Sequence, residues 1–218
     1  MMNPSEIDAL VAISRIIPVI TIERLQDAVP LARALVAGGV RLLEVTLRTE
    51  AGLAGAARII AEVPEAVVGI GTVLTPDDLA RAVGIGVRFA LSPGATPALL
   101  EAAARCGIPF LPGIATASEL MAAMSHGFQT FKFFPATAAG GIPALQALAG
   151  PFPAARFCPT GGIGAHNAAE WLARPNVVAV GGSWLTPAAE VRDGKWPAIT
   201  ARCAESVRDL SGSIPLPA

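Results

Sequence analysis

The stretch LQDAVPLARALVAGGVRLLEVTL, residues 25–47, contains one structural unit that the rest of the chain repeats. Its first half places apolar side chains with a period of 3.6 residues, and Gly38-Gly39 then ends the predicted helix. Its second half, Arg41 to Leu47, is a short apolar run typical of a buried strand. The stretch therefore predicts a helix followed directly by a strand.

Short apolar runs of this kind recur along the whole chain, spaced 20–27 residues apart. The eight candidate strands begin near Ile16, Arg41, Val67, Arg88, Ile108, Gln129, Arg156 and Val177. Eight strand–helix units predict an α/β fold, a closed parallel (β/α)8 TIM barrel. An open doubly wound sheet is the alternative, but no Gly-x-Gly-x-x-Gly turn follows the first strand, where Ile20-Thr21-Ile22-Glu23 stands.

Local sequence signals predict where several helices begin and how far the domain extends. Threonine followed by proline predicts a helix start at Thr75, Thr96 and Thr186, and Thr116 with Glu119 predicts a capping box. Met121 and Met124 are predicted to face the core. We expect a single barrel domain over residues 1–218, with an extra helix in residues 1–15 and a loose tail at 211–218.

The composition excludes several classes of protein. The 218 residues are 53% hydrophobic and 15% charged, which excludes a disordered chain. A net charge of −1 argues against broad binding of nucleic acid or an anionic membrane. The longest run without a charged residue, 133–155, contains four prolines and three glycines, so it predicts no transmembrane helix.

The cysteines and histidines predict neither a metal site nor a disulfide framework. Three cysteines and two histidines are scattered along the chain without ligand spacing. The first residues show no secretory signal. We therefore expect a cytoplasmic protein without a metal ion.

Lys132 is the most informative residue, because the chain has 14 arginines and only two lysines. It lies in Phe131-Lys132-Phe133-Phe134, where alternation directs the lysine into the barrel. A desolvated amine there is a nucleophile that can form an imine with a carbonyl, which an arginine cannot do. The alternative is a structural lysine paired with an inward carboxylate.

Glu44 is the second unexpected residue, because alternation over Leu42 to Leu47 turns its carboxylate inward. A buried carboxylate is costly unless it is paired or used. An apolar wall favours its protonated form, which suits a group that shuttles protons. Glu44 could instead only neutralise Lys132, and the two interpretations are compatible.

Loops after predicted strands supply further candidates. Arg48 could bind a substrate carboxylate or be solvated, and Thr72 and Thr160 could supply hydroxyl groups or cap helices. The glycine-rich loops 160–164 and 181–183 follow the last two strands, where barrels commonly bind phosphate. Ordinary tight turns are the alternative explanation for both loops.

Six short runs of the sequence carry a family resemblance, namely FKFFPA at 131–136, EVTLRT at 44–49, GTVL at 71–74, SPG at 92–94, LPGI at 111–114 and PTGGI at 159–163. Together they resemble the bacterial 2-keto-3-deoxy-6-phosphogluconate aldolases, a group that includes 4-hydroxy-2-oxoglutarate aldolase activity. The resemblance extends from about Pro18 to Leu185. It implies a class I aldolase that splits a phosphorylated 2-keto acid into pyruvate and glyceraldehyde 3-phosphate, with no cofactor.

The resemblance also implies residue roles and an assembly. Lys132 would form the Schiff base and Glu44 would be the acid/base residue. Residues implied to bind the substrate are Arg48 and Thr72 at the carboxylate, Pro93, Phe134 and Thr160 along the chain, and Gly161, Gly162, Gly182 and Ser183 at the phosphate. The family is typically a homotrimer. One departure is Thr137, which stands where family members often carry an acidic residue.

Other functions remain open at this stage. A sugar-phosphate isomerase or epimerase would use Glu44 to move protons and Lys132 only to polarise a carbonyl. A non-catalytic phosphosugar-binding barrel would bind its ligand without turnover. Within the aldolases, the substrate could be the galactonate-derived epimer or 4-hydroxy-2-oxoglutarate, and oxaloacetate could be decarboxylated.

Overall fold

A computed structural model describes residues 4–211 of the chain. Parallel β-strands recur along these residues, from Ile16 to Gly182. The strands are β1 Ile16–Ile20, β2 Leu42–Thr46, β3 Val67–Gly71, β4 Phe89–Leu91, β5 Phe110–Leu111, β6 Gly113–Ile114, β7 Thr130–Phe133, β8 Arg156–Pro159 and β9 Val180–Gly182. Every paired strand is parallel to its neighbour. Their carboxyl ends therefore lie at the same end of the molecule.

Helices alternate with these strands, and a short 3-10 helix at Leu25–Asp27 precedes the second one. The helices are α1 Pro4–Ile13, α2 Ala28–Ala37, α3 Ala51–Glu62, α4 Pro76–Gly84, α5 Pro97–Ala103, α6 Ala117–Ser125, α7 Gly141–Ala149, α8 Ala168–Leu172, α9 Ala188–Arg192 and α10 Trp196–Ser211. The predicted α/β class is confirmed. The tail predicted at 211–218 lies outside the described residues, apart from Ser211 at the end of α10.

Two sheets contain these strands. Six strands form one sheet in the order β5-β4-β3-β2-β1-β9, and three form the other in the order β6-β7-β8. Isolated bridges join Phe157 with Val177 and Thr160 with Gly181. These bridges connect the side of β8 to the segment that contains β9.

Two strand predictions differ in detail from the structure. The fifth predicted strand is divided at Pro112 into β5 and β6, since proline has no N–H to donate and the next N–H, of Gly113, donates to Ser92 Oγ at 3.2 Å. The last strand begins at Val180 rather than near Val177, which makes only a single bridge.

Most of the predicted helix starts are confirmed. Thr75 caps α4 and Thr96 caps α5 through their side chains, and Thr116 with Glu119 forms a capping box on α6. The start predicted at Thr186 is wrong. Helix α9 begins at Ala188, and Thr186 is buried in a turn in which its N–H donates to Ser183 O at 3.1 Å.

The core consists of two hydrophobic clusters. Along a strand, successive side chains point alternately into one cluster and the other. Leu43 and Val45 of β2 belong to the larger cluster between strands and helices. Leu42 belongs to the smaller cluster on the inner face of the sheets, with two residues of α1. The full membership of that cluster is Ile7, Leu10, Ile17, Leu42, Phe89, Leu91, Leu111, Cys158 and Ala179.

Helix α6 corrects one core prediction. Met124 packs against the larger cluster, but Met121 is 60% exposed. Met121 lies three residues from Met124, and the core contact of this short helix is made instead through Leu120 and Ala123. Among residues 4–211, no helix is long and apolar enough to span a membrane.

Candidate active site

A buried ion pair joins two strands on the inner face. Lys132 of β7 donates from Nζ to Oε1 of Glu44 of β2 at 2.8 Å. Both residues are almost completely buried, with 3% and 1% of their surface exposed. Two residues that are 88 positions apart in the sequence therefore form one unit.

Strand alternation explains why both side chains point inward. Phe131 and Phe133, on either side of Lys132, belong to the larger cluster between strands and helices. Leu43 and Val45, on either side of Glu44, belong to the same cluster. The inward direction predicted for the two charged side chains is confirmed. An uncompensated charge here would cost several kcal/mol, so each member of the pair keeps the other in place.

The Glu44 carboxyl group lies over a glycine of the neighbouring strand. A Cβ atom at Gly71 of β3 would stand 2.7 Å from both Cγ and Cδ of Glu44, and closer still to Oε1. The second carboxylate oxygen, Oε2, is buried and has no hydrogen-bond partner among the described residues. It is an acceptor that a bound hydroxyl group can use.

Two neighbours complete the surroundings of Lys132. Its Nζ lies 5.6 Å from the ring centroid of Phe134, within cation–π range. Cys158 of β8 stands beside Lys132 in register. Burial, together with the negative charge of Glu44, raises the pKa of the Cys158 thiol to about 12. The thiol is therefore neutral near pH 7 and is no nucleophile there.

Three predicted binding residues follow the strands on one side of this pair. Arg48 lies in the exposed turn after β2. Thr72 follows β3 directly and has a φ of +62°, in the left-handed region that β-branched residues rarely adopt. Pro93 follows β4, and its backbone carbonyl group lies against Gly113, where a Cβ atom would overlap it.

The loop after β8 contains the predicted glycine pair. Thr160 is 4% exposed, and Gly161 and Gly162 have φ values of +103° and +74°, which favour glycine. The Ala136 N–H donates to Thr160 O at 2.8 Å, and the Thr137 N–H donates to Gly161 O at 3.1 Å. The segment after β7 is thus attached to the glycine loop.

The loop after β9 contains Gly182 and Ser183. The ring of Trp184 occupies the space where a Cβ atom of Gly182 would stand. The Trp184 indole N–H donates to Ser206 Oγ of α10 at 3.2 Å, and Ser183 is exposed. The aromatic ring thus packs between the loop and the last helix.

Glu44 lies in the middle of β2, and the other predicted site residues lie near or just beyond the carboxyl ends of their strands. The structure brings Lys132 and Glu44 into direct contact and buries Thr160 near them. Arg48 and Ser183 are exposed and make no side-chain hydrogen bond with the rest of the described chain. Side chains of this kind are available to a ligand.

Comparison with known proteins agrees with this geometry. The family model for KDPG and KHG aldolases matches residues 7–202. The chain belongs to the KDPG and KHG aldolase family. It is 52% identical to the KHG/KDPG aldolase of Escherichia coli K12 over 92% of this chain and 94% of that protein. It is 54% identical to the 2-dehydro-3-deoxy-phosphogluconate aldolase of Dickeya dadantii over 88% and 90% of the two chains.

A solved structure with a covalent ligand is similar throughout. The KDPG aldolase of Legionella pneumophila, with pyruvate captured as a covalent carbinolamine intermediate, has a TM-score of 0.89 and 48% identity. The match covers 91% of this chain and 97% of that one. The resemblance expected from the sequence motifs is therefore confirmed, and the protein is an aldolase, hence a lyase.

Sequence reasoning about this aldolase missed two features of its site. Ser92 is completely buried after β4, and its hydroxyl oxygen accepts from Gly113, the register partner of Lys132. Gly71 provides the space for Glu44. The Gly-Ile-Gly pattern at 69–71 was a possible signal, because alternate glycines leave one face of a strand without side chains.

The described part of this aldolase, residues 4–211, contains no group of three or more His, Cys, Asp or Glu side chains that could hold a metal ion. Its charged centre is the Lys132–Glu44 pair alone. The site therefore offers an amine and a carboxyl group in direct hydrogen-bond contact.

Proposed function

We propose that this aldolase cleaves 2-dehydro-3-deoxy-6-phosphogluconate (KDPG) to pyruvate and D-glyceraldehyde 3-phosphate through an imine on Lys132. The observation that carries this proposal is the buried contact of 2.8 Å between Lys132 Nζ and Glu44 Oε1. Proton transfer across this contact produces a neutral amine and a neutral carboxylic acid. Both forms are compatible with burial, and the neutral amine is the nucleophile.

The reaction follows from these two groups. The Lys132 amine attacks the C2 ketone, and the resulting hydroxyl group leaves as water with the proton of the Glu44 carboxylic acid. This step gives a protonated imine, which accepts electrons, and returns Glu44 to the carboxylate. Glu44, as the carboxylate, removes the proton from the C4 hydroxyl group, directly or through a water molecule, and the C3–C4 bond breaks. The aldehyde leaves, and the remaining enamine takes a proton from Glu44 at the methyl carbon. Water then hydrolyses the imine and releases pyruvate.

Binding roles complete the proposal. The guanidinium group of Arg48 and the backbone and hydroxyl group of Thr72 would hold the substrate carboxylate. Phe134 flanks the imine, and Pro93 and Thr160 contact the substrate chain. The phosphate would be bound by backbone N–H groups of the two glycine loops and by one hydroxyl group, namely Gly161, Gly162, Gly182 and Ser183.

Borohydride trapping with pyruvate tests the imine. Intact mass and peptide mapping should find a reduced adduct on Lys132, and Lys132→Arg should give none. Lys195, in an exposed position beside Asp193, is the internal control and should stay unmodified. Binding of a phosphosugar without any adduct would overturn the proposal in favour of an isomerase or a binding protein.

The preferred substrate needs a separate test. The relative from Escherichia coli is named for both KDPG and KHG. KHG is 2-keto-4-hydroxyglutarate, another name for 4-hydroxy-2-oxoglutarate, so this compound is the second candidate. The two glycine loops favour the phosphorylated substrate. We expect kcat/KM to be higher for KDPG than for its unphosphorylated form, and equal values would contradict this preference.

The architecture proposed for this function is a single closed (β/α)8 barrel over the described chain. Its support is the pair of bridges between the β8 and β9 regions, together with the continuity of β5 and β6 around Pro112. Helix α1 would cover the amino-terminal end, since Ile7 and Leu10 join the inner cluster. A cytoplasmic homotrimer without a cofactor remains the expected form, and sedimentation analysis tests the assembly.

A further inference from the structure

Gly71 has no conformational reason to be a glycine. Its φ lies outside the positive region, and it continues β3 in register with Thr46 of β2. The Leu47 N–H donates to Gly71 O at 3.0 Å, as in a regular parallel ladder. An L-residue could adopt this backbone without strain.

The space above Gly71 is filled by the Glu44 carboxyl group. An added Cβ atom would lie 2.7 Å from Glu44 Cγ and Cδ, and closer to Oε1, the oxygen that accepts from Lys132. Side-chain atoms cannot approach so closely, so Glu44 would have to move. The missing Cβ thus leaves room for the carboxyl group at the position where it contacts the lysine.

We propose that Gly71 is a positioning residue that keeps the Glu44 carboxyl group against Lys132 Nζ, so that replacing it by alanine selectively impairs the proton-transfer steps. This inference rests on the proposed function. A displacement of about 1 Å in a catalytic group can cost about 100-fold in rate. We expect a loss of that size in kcat for Gly71→Ala, with a smaller change in KM.

Two readouts separate this role from a structural one. Borohydride trapping reports formation of the imine, whereas exchange of the pyruvate methyl protons with deuterium, followed by NMR, reports proton transfer at carbon. Gly71→Ala should still give the Lys132 adduct when trapping is measured at equilibrium, but it should exchange the pyruvate methyl protons about 100-fold more slowly. General damage to the fold would lower both signals together.

A double-variant cycle shows whether Gly71 acts through Glu44. In a Glu44→Ala background the carboxyl group is absent, so the added methyl group of Gly71→Ala no longer meets its three nearest atoms, Oε1, Cδ and Cγ of Glu44. We expect less than a twofold change in exchange rate there. Equal losses in both backgrounds would overturn the proposal, as would full exchange activity of Gly71→Ala in the otherwise unchanged protein.

A matched glycine provides the control. Gly84 ends α4, has no positive φ, and an added Cβ atom there meets no atom within 4 Å. Gly84→Ala should leave kcat and methyl exchange unchanged. If the unsubstituted protein forms no Lys132 adduct, the proposed function fails. If it does and Glu44→Ala slows exchange to a low but measurable rate, full activity of Gly71→Ala refutes the positioning role alone.

Discussion

The side chains on the inner face of the sheets form two layers, a lower and an upper one. Along β2 the two layers are two residues apart. In the lower layer, Leu42 and Ile17 pack with Phe89 and residues of α1 into an apolar cluster. Two residues further along β2, on the same face, stands Glu44, in contact with Lys132. Both layers are built on strand backbone, so they differ only in their side chains, which are apolar in the lower layer and charged in the upper one.

The comparison shows how structure and reactivity are divided in this aldolase. The lower layer excludes water and gives the strands a common support. The upper layer places an ion pair on that support, where low polarity makes each charge depend on the other. Changes in the lower layer should therefore affect stability, and changes in the upper layer should affect turnover.

The largest effect is expected when the upper layer loses its nucleophile. Lys132→Met retains the length and apolar stem of the side chain but cannot form an imine, so kcat should fall on the order of 10⁴-fold or more. Steady-state cleavage of KDPG measures this loss. Residual activity within 100-fold of the original would mean that another group performs the chemistry.

Converting the upper layer into an apolar one separates stability from catalysis. Glu44→Leu alone leaves a buried ammonium group unpaired and should lower the free energy of unfolding by about 3–5 kcal/mol. Combining it with Lys132→Met removes both charges, and the double variant should regain most of that loss. Urea unfolding measures all four proteins, and additive losses in the double variant would contradict the coupling.

Removing one methylene group from each layer compares them directly. Glu44→Asp withdraws the carboxyl group from Lys132 by more than 1 Å, so kcat should fall about 100-fold. Ile17→Val in the lower layer should cost about 0.5–1.5 kcal/mol in stability and leave kcat within about twofold. A similar loss of kcat in both variants would remove the distinction between the layers.

The smallest effect concerns Cys158, which belongs to the apolar cluster and stands beside Lys132 in register. Its pKa is about 12 in the folded protein against 9.0 for the ordinary thiol, so the unfolded chain loses this proton first. The contribution of Cys158 to the free energy of unfolding is therefore constant below about pH 8. It falls between about pH 9 and 12, by up to about 1.4 kcal/mol per pH unit.

Cys158→Ala is the matched variant for this measurement. Its stability should fall less steeply above pH 9, although Cys203, with a pKa raised by burial to about 11, still contributes. Iodoacetamide at pH 8 should label Cys158 only after unfolding. Rapid labelling of Cys158 in the folded protein would show that the thiol is more accessible than its burial indicates.

Local patterns were sufficient to predict most of the fold. Alternation over 42–46 and 130–133 determined which side chains face inward, because the period of a strand is two. The capping box of Thr116 and Glu119 determined the start of α6 from residues three positions apart. Both signals act within a few residues, so they can be read without knowledge of tertiary contacts.

Features that depend on distant neighbours could not be predicted in this way. The break at Pro112 depends on Ser92, just after β4, whose hydroxyl oxygen accepts from the Gly113 N–H. The exposure of Met121 depends on which face of α6 meets the core. The space that Gly71 leaves for Glu44 likewise appears only when β2 and β3 are paired.

Thr72 has a consequence for protein engineering. Its left-handed φ of +62° is unfavourable for a β-branched residue, typically by about 1–3 kcal/mol. Glycine at this position would relieve the strain and would also remove the hydroxyl group from the mouth of the site. A selection for thermal tolerance alone would therefore favour glycine, whereas under the proposed binding role of Thr72 a selection for aldolase activity would restore threonine.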